Sequence, residues 1–217
     1  MKAWERWLYW FVRGAVAWFC RLFWRVTIEG RELIPAKGAF VLSPVHRSNI
    51  DSPLAACVTG RRLRFMGKQE MWKFRPAGKL FSALGSFPVN RGAADREALR
   101  RCIEVLEGGE PLVLFPEGTR RSGPVVEDLF DGAAYVAIKA GVPIVPVGIG
   151  GSEAAMPKGS KFLRPVKVHM VIGPPLDAER VSDGGRTSRR AVQELTQRLQ
   201  AELQRLFDEA QKKAGAA

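Results

Sequence analysis

Short apolar segments alternate with segments of helical pattern along this 217-residue chain from Trp24 onward. This alternation is typical of an α/β fold, because each strand of a parallel sheet needs a crossover, usually a helix, before the next strand. A chain of this length with 46% hydrophobic residues has room for one well-buried domain. We therefore predict one α/β domain with a largely parallel central sheet flanked by helices. The predicted strands cover residues 26–29, 39–43, 63–67, 87–89, 112–115, 144–149 and 166–172.

Helices are indicated by the residues at their ends. Residues 95–107 and 132–140 are each followed directly by glycine, which readily adopts the left-handed conformation that ends a helix. Residues 187–213 predict a final polar helix with leucines along one side. A shorter helix is expected to open at Ser52-Pro53, because proline is favoured in the first turn.

The first 25 residues differ in composition from the rest and are predicted to form an interfacial membrane anchor, with residues 26–217 forming the second unit. Charged residues interrupt this stretch so often that its uncharged runs are far shorter than the roughly 20 residues of a bilayer-spanning helix. On a helix, its basic residues fall on one broad side and an apolar set that includes Trp4, Phe11 and Phe19 falls on the other, with Trp7 and Trp18 at the boundary. We predict one amphipathic helix, or two that break near Gly14, in the headgroup region of an anionic leaflet. The predicted anchor residues are Trp4, Trp7, Trp10, Phe11, Trp18 and Phe19.

The formal net charge of +12 also limits the choice of partner. Strongly basic chains often bind nucleic acid, but five of the six tryptophans lie within the first 24 residues. Tryptophan is enriched at the membrane interface, where its ring is amphipathic. We therefore predict an anionic membrane surface as the partner and no nucleic acid, with a peripheral or monotopic location on the cytoplasmic face. The alternative is that the aromatic face packs on the domain or on a partner protein.

Three well-separated cysteines and two histidines argue against a disulfide framework and a multi-histidine metal centre. His169 falls in an alternating strand pattern and is predicted to be structural. No bound metal is therefore expected.

Two further segments carry chemistry. The first is Ser43-Pro-Val-His-Arg-Ser-Asn-Ile-Asp51, in which a carboxylate five positions after His46 can hold one imidazole nitrogen while the other faces solvent. The second is Phe115-Pro-Glu-Gly-Thr-Arg120, which places a guanidinium group beside a tight turn. Each segment follows a predicted strand, and open α/β sheets bind ligands beyond strand ends. We expect the two segments to share one substrate.

With these segments, the chain resembles the glycerolipid acyltransferase family that includes the 1-acylglycerol-3-phosphate acyltransferases. The resemblance extends from about residue 26 to residue 174. Its four blocks are His46 to Asp51, Ser86-Phe-Pro-Val-Asn-Arg91, Phe115 to Arg120 and Val142-Pro-Ile-Val-Pro-Val147, together with a Lys-x-Glu element at Lys68 to Glu70. Asn90 departs from the aspartate that is commoner in the family.

The resemblance implies a glycerol-3-phosphate acyltransferase-like fold and an O-acyltransferase that needs no cofactor. It implies transfer of a fatty acyl group from coenzyme A or acyl carrier protein to a hydroxyl of lysophosphatidic acid or a related glycerol phosphate, forming phosphatidic acid in phospholipid synthesis. His46 would be the general base, and Asp51 would orient its ring. The residues implied to bind the acceptor phosphate are Lys68, Arg91, Glu117, Gly118, Thr119 and Arg120.

Two alternatives stay open. An acyltransferase of this kind could use a different acceptor, such as a glycolipid or a lysophospholipid. A non-catalytic membrane-binding module would have no need of the His46 and Asp51 pair, which is intact here. Glu117 is expected either to orient Arg120 or to hydrogen-bond the acceptor.

Overall fold

A computed structural model describes residues 3–89, 96–179, 182–183 and 186–216. Within these ranges the chain forms seven α-helices: α1 (Ala3–Phe23), α2 (Asp51–Ala55), α3 (Arg75–Ala83), α4 (Arg96–Glu107), α5 (Gly132–Ala140), α6 (Ser152–Ala155) and α7 (Arg189–Ala214). The strands described there are β1 (Thr27–Glu29), β2 (Val41–Pro44), β3 (Arg64–Lys68), β4 (Ser86–Val89), β5 (Leu112–Val113), β6 (Ile144–Gly150), β7 (His169–Ile172), β8 (Ser182–Asp183) and β9 (Arg186–Thr187).

The central sheet has seven strands in the order β1-β7-β6-β2-β5-β3-β4. Strands β2 to β6 run parallel to one another, β7 is antiparallel to β6, and β1 is parallel to β7. The predicted α/β class with a largely parallel sheet is therefore confirmed. Strands β8 and β9 form a separate antiparallel pair that was not predicted.

The core surrounds the middle of the sheet and includes buried residues of α1, α2, α4, α5 and α7. All seven residues of β6 are buried, and α7 buries the predicted leucine stripe against the sheet. A Cβ atom at Gly148 or Gly150 would lie 2.2 Å from backbone atoms of Leu206 or Ala210. The backbones of β6 and α7 are therefore in direct contact, which only glycine permits at these two positions.

Helix α1 is continuous through Gly14 rather than broken there. Its inner side docks on the domain: Tyr9, Cys20 and Trp24 are buried, and the Trp24 indole donates a hydrogen bond to the carbonyl of Arg164 (3.0 Å). The six predicted anchor residues are all exposed, by 38% to 67%. One side of α1 thus packs on the rest of the protein, while the six predicted anchor rings face outward instead of packing on the domain. No helix in the described part of the chain is both long and apolar enough to cross a bilayer.

His169 is buried at the start of β7, in agreement with a structural role. Its Nδ1 lies 2.5 Å from Thr27 Oγ1 and its Nε2 lies 3.2 Å from Glu29 Oε1. Burial lowers the pKa of this imidazole, which favours its neutral form.

Candidate active site

The two chemical segments meet at one edge of the sheet. Strands β2 and β5 are neighbours, and the loops that follow them carry His46 and Glu117. The backbone N–H of His46 donates to Glu117 Oε1 (2.8 Å), and the backbone N–H of Arg121 donates to the carbonyl of His46 (2.9 Å). The segments that the sequence analysis singled out therefore form one site.

His46 and Asp51 form a hydrogen-bonded pair within this site. His46 Nδ1 lies 3.0 Å from Asp51 Oδ2, and the imidazole stacks on Phe115 with ring centroids 4.0 Å apart. The same carboxylate oxygen accepts hydrogen bonds from the backbone N–H groups of Arg47 (2.7 Å) and Ser48 (2.6 Å). Asp51 is fully buried, whereas the His46 side chain is 14% exposed. Because Nδ1 faces Asp51, Nε2 is the nitrogen available to a substrate.

Arg47 and Glu117 form a second, fully buried pair beneath the first. Arg47 donates to Glu117 Oε2 and to the carbonyls of Gly123 (3.2 Å) and Val125 (3.0 Å). Its guanidinium carbon also lies 4.8 Å from the centre of the Phe207 ring in α7. Arg47 therefore links the loop that carries His46 to the loop after β5 and to helix α7.

The expected role of Glu117 needs correction. The side chain is fully buried and contacts the His46 backbone and Arg47, rather than Arg120 or the solvent-facing site. Glu117 thus fixes the position of the loop that carries His46. Arg47 lies within the His46 to Asp51 block, but its role could not be predicted from the sequence, because arginine is rarely fully buried unless it is paired.

A cavity of about 560 Å³ opens beside His46. This is within the range typical of small-molecule sites. Lys68 and Arg120 line it together with the imidazole. Much of the remaining wall is apolar, formed by Val12, Val16, Phe65, Met66, Met71, Trp72, Phe81 and Leu84. Arg13, which donates to the carbonyl of Thr59, also lines it. The cavity therefore offers one base, three cations and an apolar surface to the same ligand.

The predicted phosphate-binding residues divide into three groups. Lys68 and Arg120 line the cavity; Lys68 Nζ lies 3.3 Å from Glu70 Oε1, whereas Arg120 has no carboxylate partner among the described residues. Gly118 and Thr119 are exposed beside the cavity and do not line it. Gly118 instead shapes the turn, with φ of 65° and Phe130 too close for a side chain. Arg91 lies outside the described residues.

Residues 25–150 match the protein family described as Acyltransferase, and this stretch contains both active-site pairs. The chain belongs to the acyltransferase family. It is similar to the chloroplast 1-acyl-sn-glycerol-3-phosphate acyltransferase LPAT1 of Arabidopsis thaliana, with 30% identity over 158 residues, or 71% of this acyltransferase and 44% of the relative. This acyltransferase therefore spans less than half the length of that plant protein.

Two bacterial relatives match over more of their length. A 1-acyl-sn-glycerol-3-phosphate acyltransferase of Streptococcus pneumoniae is 29% identical over 212 residues, which is 94% of this acyltransferase and 75% of the relative. The crystal structure of the 1-acyl-sn-glycerophosphate acyltransferase PlsC of Thermotoga maritima superposes with a TM-score of 0.76 at 29% identity. That match covers 93% of this acyltransferase and 80% of the Thermotoga chain.

Proposed function

We propose that this acyltransferase moves a fatty acyl group from a thioester, on coenzyme A or acyl carrier protein, to the free hydroxyl of lysophosphatidic acid and so forms phosphatidic acid. The observation that carries the proposal is the placement of the His46 and Asp51 pair beside a largely apolar cavity that is also lined by Lys68 and Arg120. The names of the Arabidopsis, Streptococcus and Thermotoga relatives, all acyltransferases that act on 1-acylglycerol phosphate, support the same acceptor.

The reaction is a direct acyl transfer with His46 as general base. Nε2 takes the proton of the acceptor hydroxyl as its oxygen attacks the thioester carbonyl. When the tetrahedral intermediate collapses, the C–S bond breaks and the imidazolium returns a proton to the departing sulfur. Asp51 holds the ring by Nδ1 and stabilises the positive charge that forms on it. This route needs no cysteine nucleophile, and burial raises the pKa of Cys102 to about 12, which keeps that thiol protonated.

The cations bind the phosphate of the acceptor, and the apolar wall binds the acyl chains. The phosphate carries two negative charges, which suit the planar fork of Arg120 and the point charge of Lys68. The acyl chains gain from leaving water along the apolar wall, at about 0.8 kcal/mol for each buried CH₂ group. Helix α1 contributes Val12 and Val16 to this wall, so the docked helix completes the site.

The Arg120→Ala variant tests the acceptor assignment. We expect KM for lysophosphatidic acid to rise by about 10- to 150-fold, because a charge-assisted phosphate contact contributes about 1.5–3 kcal/mol. KM for the acyl thioester should change little. The measurement is mass analysis of phosphatidic acid formed over a range of each substrate.

Arg121→Ala is the matched control, because the Arg121 side chain pairs with Glu127 (2.9 Å) and does not line the cavity. An equal rise in both KM values for Arg120→Ala would contradict the phosphate assignment. Failure of the parent enzyme to form phosphatidic acid, with acylation of a glycolipid or a lysophospholipid instead, would overturn the proposed acceptor.

We also propose that α1 lies in the interface of the cytoplasmic membrane leaflet. The rest of the protein packs on the other side of this helix. The exposed rings can therefore enter the lipid while the buried side of the helix stays packed. The basic residues of the same helix complement an anionic leaflet.

Changing Trp4, Trp7 and Phe11 together to serine should lower the affinity for anionic vesicles by about 100-fold. Each ring gains on the order of 1 kcal/mol from partial burial in lipid, and all three side chains are exposed. Vesicle flotation measures the bound fraction. Val125→Ser, which changes an exposed apolar residue outside α1, should float as the parent does. Undiminished flotation of the triple variant would place the membrane contact elsewhere.

A further inference from the structure

A second, larger cavity is not explained by the proposed reaction. This groove of about 890 Å³ lies between α1, β1 and the residue Cys57 that follows α2. Four arginines line it, namely Arg13, Arg21, Arg25 and Arg31. None of the described residues that line it is acidic, so the groove concentrates positive charge.

The four guanidinium groups are not neutralised within the described part of the protein. Arg13 donates to the carbonyl of Thr59 and Arg31 to the carbonyl of Cys57 (3.3 Å), but neither they nor Arg21 and Arg25 pair with a described carboxylate. Many arginines elsewhere do form such pairs, at Arg62, Arg64, Arg100, Arg101, Arg121, Arg190 and Arg205. Unpaired guanidinium groups that share a groove favour the binding of an anion, above all one with several oxygens.

Arg25 has an unusual backbone conformation. It is the one non-glycine residue with positive φ (47°) in the described ranges. It follows the end of α1, where the N–H groups of Trp24 and Val26 donate to the carbonyl of Cys20 (3.1 and 3.4 Å). Glycine is the usual residue at this left-handed position. The chain has an arginine there, and the residue lines the groove.

We propose that this groove binds the phosphate headgroup of an anionic membrane phospholipid. Arg13 lines both this groove and the cavity beside His46, but Lys68 and Arg120 line only that cavity. A lipid fits better than free phosphate because apolar residues share the wall, including Trp18, which is 67% exposed, and Ile28. The proposal rests on the proposed position of α1 at the membrane. One bound headgroup would bridge Arg21 on α1 to Arg31 beyond β1, and so hold the helix on the domain.

Thermal unfolding with soluble short-chain lipids tests this site without a membrane and without turnover. Dihexanoyl-phosphatidylglycerol, below its micelle concentration, should raise Tm by about 5–10 °C at 100 times its Kd. Dihexanoyl-phosphatidylcholine, which has no net charge, should raise Tm far less. Inorganic phosphate at the same concentration should also raise it less, since it lacks the apolar contacts.

The Arg25→Gly variant separates the effect of charge on lipid binding from any effect on folding stability. It removes one groove cation and relieves the left-handed backbone strain, so the lipid-free protein should be at least as stable as the parent. The rise in Tm with dihexanoyl-phosphatidylglycerol should fall by more than half, and Arg21→Gln should reduce it similarly. Arg6→Gln removes a charge from α1 outside the groove and should keep the full rise.

Two results would overturn the proposal. An unchanged rise in both Arg25→Gly and Arg21→Gln would show that the lipid binds elsewhere. An equal rise with inorganic phosphate would assign the groove to a free anion rather than a lipid. A failure of the proposed reaction would be seen separately, as absence of phosphatidic acid formation by the parent enzyme, which the unfolding measurement does not involve.

Discussion

The His46→Ala variant is expected to turn over about 10²- to 10⁴-fold more slowly than the parent, which is the range that a positioned general base contributes. Folding should survive the change. The lost contacts are a stack on Phe115 and one hydrogen bond, and Asp51 Oδ2 keeps two backbone N–H donors. We expect a loss of stability of about 1–2 kcal/mol. Single-turnover kinetics with a thioester donor and lysophosphatidic acid measure the chemical step directly.

His169→Gln is the matched control, because it removes the other histidine, which lies away from the cavity. Its kcat should stay close to that of the parent. If His46→Ala kept most of its rate, direct base catalysis by His46 would be refuted.

Asp51→Asn should have a smaller effect than His46→Ala. Two backbone N–H groups point at Oδ2, so an asparagine is expected to place its oxygen there and still hold His46 in the same tautomer. What is lost is the charge that stabilises the imidazolium. A charge-assisted hydrogen bond exceeds a neutral one by about 1–2 kcal/mol, so kcat should fall by about 5- to 30-fold.

The Glu117→Gln variant is expected to lose about 3–5 kcal/mol of folding stability, because it leaves the buried Arg47 charge without its partner. The side-chain nitrogen of glutamine is a hydrogen-bond donor, and it would face the guanidinium group of Arg47, which also has only donors. Equilibrium denaturation measures the loss as a shift of the midpoint at constant slope. Activity should fall as well, since Glu117 holds the His46 backbone.

Glu110→Gln is the control for this variant, because Glu110 pairs with Arg62 and Arg64 but is 40% exposed. Exposed pairs contribute roughly 0–1 kcal/mol. Replacing both buried partners, as Arg47→Met with Glu117→Leu, should recover part of the loss, since apolar residues of similar volume often substitute for a buried ion pair. A loss below 1 kcal/mol in Glu117→Gln would show that Arg47 finds another partner.

The strands and longer helices could be predicted because their signals are local. Helix α5 begins and ends at the predicted residues, since Gly141 supplies the left-handed cap with φ of 67°. Helix α3 was missed because Pro76 and Gly78 obscure its apolar pattern, yet its single proline lies in the first turn. For α1 the sequence left open one helix or two that break near Gly14; the structure has one continuous helix, which contacts α2 and α3.

The site was predictable where a residue's role depends on close neighbours in sequence. His46 and Asp51 lie five positions apart and meet across one turn, so their spacing indicated their contact. Glu117 and Arg47 lie 70 positions apart, and their pairing depends on the adjacency of β2 and β5. From the sequence, Glu117 was expected either to orient Arg120 or to hydrogen-bond the acceptor. The register of the sheet decides instead that it contacts the loop that carries His46.

The contact between α7 and β6 has a consequence for biosynthesis. Gly148 and Gly150 leave the strand backbone bare on the side that α7 covers, and α7 is translated after every strand of the central sheet. A nascent chain interrupted before Leu206 therefore presents an apolar strand that nothing later in the chain has yet covered. Exposed apolar surface of this kind drives aggregation. We therefore expect the nascent chain to be prone to aggregation until α7 has emerged from the ribosome.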